Sequence, residues 1–272
     1  MTKYIKRGEY QYKLTDFERD SAFGKIYKGL ESSSNTPVCI KEISMKTIRK
    51  QGKELIKALK NEKEVLTKLT NPNISNITKF YDCCETSNNL YIITGYNNNG
   101  TLRDKMTEKL KSNCLFSENE MLKIVYQIAK GLAELHRRNI VHRDLKLENI
   151  LVHNDKYRVG NFHFAKVTED QFESRLGTPF YLAPEIYLEE EKLTSKVDIW
   201  ALGCIAHHLV VGDFRGFTDS EPDKVNREYQ MPAGIVLKRE TSDLLNKCFV
   251  KNSRDRVGIQ EIVNHPAFDC IK

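Results

Sequence analysis

The 272-residue sequence lacks the cysteine spacing of a metal site, because its seven cysteines include no C-x-x-C pair. Cys83 and Cys84 are adjacent, and neighbours on a strand point to opposite faces, so the pair suits packing better than bridging. No charged and then apolar leader opens the chain, so we expect a reducing, cytoplasmic compartment. These absences exclude a zinc module and a disulfide scaffold.

The sequence also lacks a strong charge imbalance and a long apolar run. The net charge is +6, and between Lys41 and Lys68 basic residues alternate with acidic ones, which is typical of a solvated helix face. The most apolar stretch, 197–211, contains Asp198 and is too short to span a bilayer, so it predicts a buried helix. We therefore expect no nucleic-acid partner and no membrane partner.

Hydrophobic residues at 40% and charged residues at 29% are ordinary for a globular protein. Strand-like segments around a helical pattern at 47–70 predict a small β-rich lobe, residues 1–97, with a five-stranded sheet and one long helix. Residues 98–272 read as a larger helical lobe, in which Ser117 and Glu120 form a capping box. The fold class is therefore α+β and bilobal, and a cleft between lobes is a natural ligand site.

The predicted long helix carries a carboxylate within its apolar stripe. Glu62 follows Leu59 and precedes Leu66 at helical spacing, together with Leu55 and Leu69. An unpaired buried charge is costly, so Glu62 either pairs with a nearby cation such as Lys41 or lies solvated at the edge of the stripe. The pattern alone leaves both alternatives open.

A second cluster, VHRDLKLENIL, brings an acid, an amine and an amide into one short loop. Asp144, Lys146 and Asn149 together can orient a hydroxyl, neutralise a phosphate and hold a metal ion. Charged loops are common, but the whole string is far more specific than an isolated R-D-x-K.

From about Tyr10 to Phe268 the sequence resembles a eukaryotic protein kinase domain of the serine/threonine type. The matching segments, in order, are VCIK, HRDLKLEN, GTPFYLAPE, VDIWALG and SRDRVGIQEIVNHPAF. The resemblance implies ATP as the cofactor, Lys41 as its phosphate ligand and Glu62 as the ion-pair partner of that lysine. It also implies a pair between Glu185 and Arg256.

The resemblance assigns roles in the catalytic loop as well. Asp144 would accept the proton of a substrate hydroxyl, Lys146 would lie beside the transferred phosphoryl group, and Asn149 would bind Mg²⁺. The further positions that it implies for nucleotide contacts are Gly24, Ile26, Cys39, Thr94, Tyr96 and Leu151.

The sequence departs from the family pattern at the phosphate loop. In RDSAFG, Arg19 and Ser21 occupy two positions at which the family has glycine. Those glycines let backbone N–H groups approach the phosphates, so we expect their replacement to weaken nucleotide binding. Cys39 replaces an alanine and is still small and apolar, and Thr94 leaves the rear pocket open.

The larger departure is N-F-H in place of D-F-G. Asn161 replaces the carboxylate that binds the bridging Mg²⁺, and an uncharged amide is a poor ligand for that cation, so we expect weak or absent Mg²⁺ binding. His163 replaces a glycine and narrows the backbone angles open to the segment. We interpret this histidine as solvent-facing or packed and not as a ligand for a transition metal.

Regulation is expected in the segment before GTPFY. Ser174 lies where activation-loop phosphorylation falls in the family, Arg143 would be its charge partner, and Thr178 follows on the same segment. An unmodified serine is an equal alternative. The stretch 212–232 departs from the family and is either a docking site or, as we prefer, a loop packed on its own core.

Two functions compete. The first is a pseudokinase, a kinase-fold scaffold or allosteric partner of other proteins that still has the potential to bind ATP. The alternative is an impaired but active serine/threonine kinase acting on a protein substrate, since Lys41, Glu62, Asp144, Lys146 and Asn149 all remain. The double departure at the phosphate loop and the metal position favours the pseudokinase. Membership of a larger assembly is compatible with either.

Overall fold

The computed structural model describes residues 4–7, 10–21, 24–51, 53–70, 75–168, 177–187, 192–213 and 228–271. Contacts group Met1–Ile74 with Thr78–Asn98 in one compact unit, and Ser75–Ile77 with Asn99–Lys272 in a second. The first unit contains a sheet and two helices, and the second is mainly helical. The α+β class is therefore confirmed, while the division at 97/98 stays a prediction made on the sequence.

The first unit is built on an antiparallel sheet of six strands in the order β1-β2-β3-β4-β6-β5. Its strands are β1 (Tyr4–Arg7), β2 (Tyr10–Ser21), β3 (Gly24–Glu31), β4 (Pro37–Ser44), β5 (Phe80–Glu85) and β6 (Asn89–Gly95). The predicted number of five is wrong, because β1 pairs with β2 at the edge of the sheet. Four residues with one buried apolar side chain, Ile5, are too few to show a strand pattern in the sequence.

One face of this sheet carries a continuous apolar core. Its buried members are Ile5, Tyr12, Leu14, Val38, Ile40, Cys84, Tyr91 and Ile93. Val38 and Ile40 are two residues apart and so point to the same face. Cys84 belongs to this cluster and its neighbour Cys83 does not, as expected for alternating positions. Neither Cys83 nor Cys84 forms a disulfide.

The helical region of the first unit consists of α1 (Met45–Gln51) and α2 (Lys53–Lys68). Gly52, which lies between their bounds, and the side chain of Leu55 are outside the described residues. The remaining members of the predicted stripe are buried, namely Leu59, Glu62, Leu66 and Leu69. The helical spacing in the sequence thus identified a buried face and a buried carboxylate.

Within the described residues, the second unit contains five helices and four short strands. The helices are α3 (Leu102–Lys111), α4 (Glu118–Arg137), α5 (Lys196–Val211), α6 (Arg239–Cys248) and α7 (Ile259–Val263). The strands are β7 (Ile140–Val141), β8 (Ile150–His153), β9 (Lys156–Val159) and β10 (Lys166–Val167), paired as β7 with β10 and β8 with β9. Short 3₁₀ helices lie at Leu147–Asn149, Pro179–Tyr181, Pro184–Ile186 and Pro266–Phe268.

Helix α4 begins as the sequence predicts. Ser117 Oγ accepts from the backbone N–H of Glu120 (3.3 Å), and the Glu120 carboxylate accepts from the backbone N–H of Ser117 (2.7 Å). These reciprocal bonds satisfy two N–H groups that a helix start leaves without partners. The apolar face that follows, from Met121 to Leu135, is buried and fixes the helix in the core.

Helix α5 is buried along its length, from Val197 to Val211. A helix that is apolar on all sides has to lie in the core, and the prediction of a buried helix at 197–211 is confirmed. Gly212 ends it in the left-handed region (φ 90°), which glycine adopts without strain. Across the described ranges, no helix has both the length and the apolar character needed to cross a membrane.

The burial of His208 in α5 predicts acid-sensitive stability. Burial, with the charges of Arg103 and His207, lowers the pKa of His208 to about 4, against weaker opposing effects of Glu148 and Asp213. Between pH 6.5 and 4 the unfolded chain therefore binds a proton that the folded chain does not. We expect the free energy of unfolding to fall by roughly 2–3 kcal/mol across this window.

The measurement is urea unfolding at several pH values, followed by fluorescence of the single tryptophan, Trp200, which also lies in α5. His208→Gln should remove most of the acid loss, whereas His153→Gln, which changes a less buried histidine in β8, should retain it. An unchanged pH dependence in His208→Gln would show that another group is responsible.

Candidate functional site

In the first unit, a buried ion pair joins the sheet to a helix. Lys41 on β4 places its Nζ 3.4 Å from Oε2 of Glu62 on α2, and the two side chains are 12% and 5% exposed. The alternative of a solvated Glu62 at the edge of the stripe is therefore wrong. The pair satisfies a carboxylate that the packing of α2 has removed from water.

The predicted nucleotide contacts of the first unit lie on one face of the sheet. Ile26 is opposite Lys41, and Cys39 is opposite Thr94, so all four side chains project from the same side. Tyr96 lies just after β6, and the ammonium of Lys28 is 5.1 Å from the centroid of its ring. The face thus presents the ammonium groups of Lys41 and Lys28 beside small and apolar groups.

The phosphate-loop region is described in part. Arg19 pairs with Ile26 and Ser21 pairs with Gly24 across β2 and β3. A Cβ at Gly24 would lie 2.1 Å from the backbone oxygen of Glu42, so no side chain fits there. The side chains of Arg19 and Ser21, together with Phe23, are outside the described residues.

In the second unit, a single buried carboxylate, that of Asp198, holds the start of the predicted catalytic loop in place. Asp198 accepts from the backbone N–H of His142 (2.9 Å) and of Arg143 (3.0 Å), and it contacts Nε2 of His136 at 2.9 Å. Burial alone raises the pKa of Asp198, but the hydrogen bond and charge of His136, with His142, outweigh it and lower the pKa. Sequence reasoning missed His136, although a carboxylate in an apolar helix signals a need for partners.

Three of the predicted side chains converge on the Asp144 carboxylate. Lys146 Nζ lies 3.1 Å from its Oδ2, and Thr178 Oγ1 donates to its Oδ1 at 2.8 Å. Lys146 Nζ also donates to Thr178 Oγ1 (2.7 Å). Asn149 Nδ2 donates to the Asp144 backbone oxygen (2.6 Å) and to Oδ2 (3.0 Å). The carboxylate is buried, fixed and paired with one cation, an arrangement suited to orienting a hydroxyl group.

Asn161 extends this cluster by a further hydrogen bond. Its Nδ2 donates to Oδ1 of Asn149 (2.7 Å), and its own Oδ1 contacts Nδ1 of His163 at 2.7 Å. The left-handed conformation in this motif is found at Asn161 (φ 65°), where an asparagine is tolerated, and His163 is not among the residues with positive φ. His163 therefore does not require the backbone angles that only glycine adopts freely. Phe162 is buried and packs edge-on against His142.

The donor set of this cluster is a poor fit for Mg²⁺. Its two candidate oxygens, on Asn149 and Asn161, are uncharged and each already takes part in a hydrogen bond. Mg²⁺ is usually held through carboxylates, and the carboxylate present, on Asp144, is neutralised by Lys146. In the part of the chain that the structure describes, no three histidine, cysteine or carboxylate side chains lie together as metal ligands.

The structure describes two of the three residues that the sequence predicts to be regulatory, Arg143 and Thr178. Arg143 is buried, and its Nε donates to the backbone oxygen of Phe164 (2.7 Å). Burial lowers the pKa of its guanidinium, and Asp198 partly opposes this effect. Thr178 belongs to the Asp144 cluster. Ser174 lies outside the described residues, so its pairing with Arg143 stays a prediction.

The remaining residues singled out in the sequence also belong to the second unit. Arg256 makes a two-pronged pair with Glu185, at 2.7 and 2.9 Å, and both side chains are fully buried. The pair implied by the resemblance is thus confirmed. Leu151 lies on β8, opposite Arg158, and is half-buried. Most of the stretch 212–232 is outside the described residues, so its assignment as a loop stays a prediction.

Residues 20–268 match the protein kinase domain family, and the chain belongs to it. The chain is 29% identical over 262 residues to serine/threonine-protein kinase PLK4 of Drosophila virilis, covering 94% of this chain and 32% of that protein. It is 32% identical over 253 residues to human serine/threonine-protein kinase Nek5, covering 90% of this chain and 34% of that protein. The chain thus spans about a third of the length of these relatives, and its resemblance to serine/threonine kinases is supported.

Proposed function

We propose that this chain is a pseudokinase, a protein kinase domain that serves as a scaffold or allosteric partner of other proteins and transfers phosphate poorly. The observation that carries the proposal is the hydrogen bond from Asn161 Nδ2 to Asn149 Oδ1. An amide stands where the family pattern has a carboxylate, and its N–H group meets the oxygen that would bind the metal. Metal-assisted stabilisation of the transition state is therefore impaired.

The preserved scaffold supports the same proposal. The Lys41–Glu62 pair, the Asp198 contacts and the Glu185–Arg256 pair are all formed, so the departure at Asn161 accompanies intact buried packing. Retained ATP binding is part of the proposal, because one sheet face still presents Lys41 with Ile26 and Cys39. We place the protein in the cytoplasm, which suits seven cysteines of which none forms a disulfide.

A second candidate is an active serine/threonine kinase for a protein substrate. The contacts of Lys146 and Thr178 with Asp144 favour it, because they hold the predicted base in place and give it a cationic neighbour. Weak Mg²⁺ binding at Asn149 alone would then support transfer. This candidate requires Asp144 for function in the cell, whereas a scaffold does not.

The test replaces the gene in its own organism with Asp144→Asn. A scaffold should retain function, because the amide keeps the size of the side chain and the fold. Arg256→Leu, which disrupts the buried pair with Glu185, is the matched variant expected to lose function through unfolding. Loss of function by a stably folded Asp144→Asn protein would favour the active kinase and overturn the pseudokinase proposal.

A further inference from the structure

Two asparagine amides in the second unit have orientations fixed by their partners. Asn149 is 1% exposed, and its Nδ2 donates twice to Asp144, so its Oδ1 is the acceptor that faces Asn161. Asn161 Nδ2 donates to that oxygen, which leaves Asn161 Oδ1 as an acceptor. His163 Nδ1, 2.7 Å away, must then carry the hydrogen of this contact.

Because Asn161 replaces the carboxylate of the family pattern, the cluster of Asp144, Lys146, Asn149 and Asn161 has no net charge. Asp144 and Lys146 cancel, and the amides of Asn149 and Asn161 are neutral. A hard divalent cation would have to displace two hydrogen bonds and would gain no net negative charge in return. A phosphate group, in contrast, would meet no unpaired carboxylate, and the Asn161 amide, on an exposed residue, has a second N–H to donate.

We infer that Asn149, Asn161 and His163 form a hydrogen-bonded substitute for the divalent cation, so that the protein binds the phosphates of ATP without Mg²⁺. His163 is a positioning residue in this arrangement. It holds Asn161 through Oδ1, and its own ring is packed on Phe164 with 4.5 Å between centroids. The inference rests on the proposed impairment of the metal position and extends it to the ligand.

The test measures ATP binding to the full chain by calorimetry, in excess Mg²⁺ and in EDTA. We expect the two dissociation constants to agree within about threefold. Binding that requires Mg²⁺, or no binding in either buffer, would overturn the inference. Neither result would alter complementation by Asp144→Asn, so failure here is separable from failure of the pseudokinase proposal.

Variants at His163 test its positioning role. His163→Gln retains an N–H donor for Asn161 and should preserve ATP affinity in EDTA. His163→Phe retains an aromatic ring beside Phe164 but has no donor, and should weaken that affinity about three- to tenfold. Equal affinities for these two variants would show that the histidine has no such role and would overturn that part of the inference.

Mn²⁺ binding, followed by electron paramagnetic resonance, tests the exclusion of the cation without any activity readout. The unmodified chain should leave Mn²⁺ free at concentrations at which Asn161→Asp binds it, because the variant adds a carboxylate beside Asn149 Oδ1. Calorimetry on Asn161→Asp should then show Mg²⁺-dependent ATP binding. Mn²⁺ bound by the unmodified chain, or by neither protein, would show that the amide is not what excludes the cation.

Discussion

Asn161→Asp should raise the rate of γ-phosphate transfer to a generic basic protein substrate by about 10²–10³, the usual effect of one well-placed electrostatic group. The variant keeps the size of the side chain, and aspartate tolerates the left-handed backbone at this position. Its carboxylate would face Asn149 Oδ1 with no hydrogen between the two oxygens. A cation is then needed to bridge them, which is the condition for a metal site.

Initial rates of radiolabel transfer at saturating ATP and Mg²⁺ measure this gain. Asn161→Gly is the matched control, because it removes the amide without adding charge, tolerates the left-handed backbone and should not gain activity. Adding Asp144→Asn to Asn161→Asp should abolish the gain, since the predicted base is lost. An Asn161→Asp protein that is folded and no faster than the unmodified chain would show that the metal position is not what limits transfer.

Arg256→Leu should lower the free energy of unfolding of the second unit by about 3–5 kcal/mol. The substitution leaves Glu185 as a buried carboxylate without its cation, since both side chains are fully buried. It also removes the hydrogen bonds that Arg256 donates to the backbone oxygens of Val250 and Lys196. Urea unfolding followed by Trp200 fluorescence reports on this region, because the guanidinium lies 5.0 Å from that ring.

Two controls separate the lost charge partner from a general loss of contacts. The double variant Glu185→Leu, Arg256→Leu should be less destabilised than Arg256→Leu alone, because no unpaired carboxylate remains. Lys105→Ala breaks the exposed pair with Glu108 and should cost about 1 kcal/mol or less. A double variant as unstable as the single one would mean that packing, not charge, accounts for the effect.

Much of the fold was predictable because a buried helix shows in the sequence through the spacing and the number of its apolar residues. The helical spacing around Glu62 revealed its buried face, and the apolar composition of α5 revealed its central position. Each of these signals is local and repeats over several turns. Strand β1 gives no comparable signal, since four residues contain one full alternation, and its pairing with β2 depends on a partner strand.

The candidate site was predictable in its residue types and less so in its contacts. Asp144, Lys146 and Asn149 were identified from one string, and the loss of a carboxylate at Asn161 was visible in the sequence. Which amide atom faces which neighbour depends on side-chain rotamers and three-dimensional partners. The link from Asn161 to Asn149 therefore became evident in the structure alone. The contact of His136 with Asp198 depends on packing between α4 and α5 in the same way.

The turnover number of the unmodified chain tests the central claim most directly. It is measured as γ-phosphate transfer in saturating ATP and Mg²⁺, with Asp144→Asn as the background. Protein kinases commonly turn over at about 1–100 s⁻¹, and loss of the carboxylate predicts a value lower by about 10²–10³. Transfer well above about 1 s⁻¹ that Asp144→Asn abolishes would contradict the account, because the amide at Asn161 would then be compatible with ordinary catalysis.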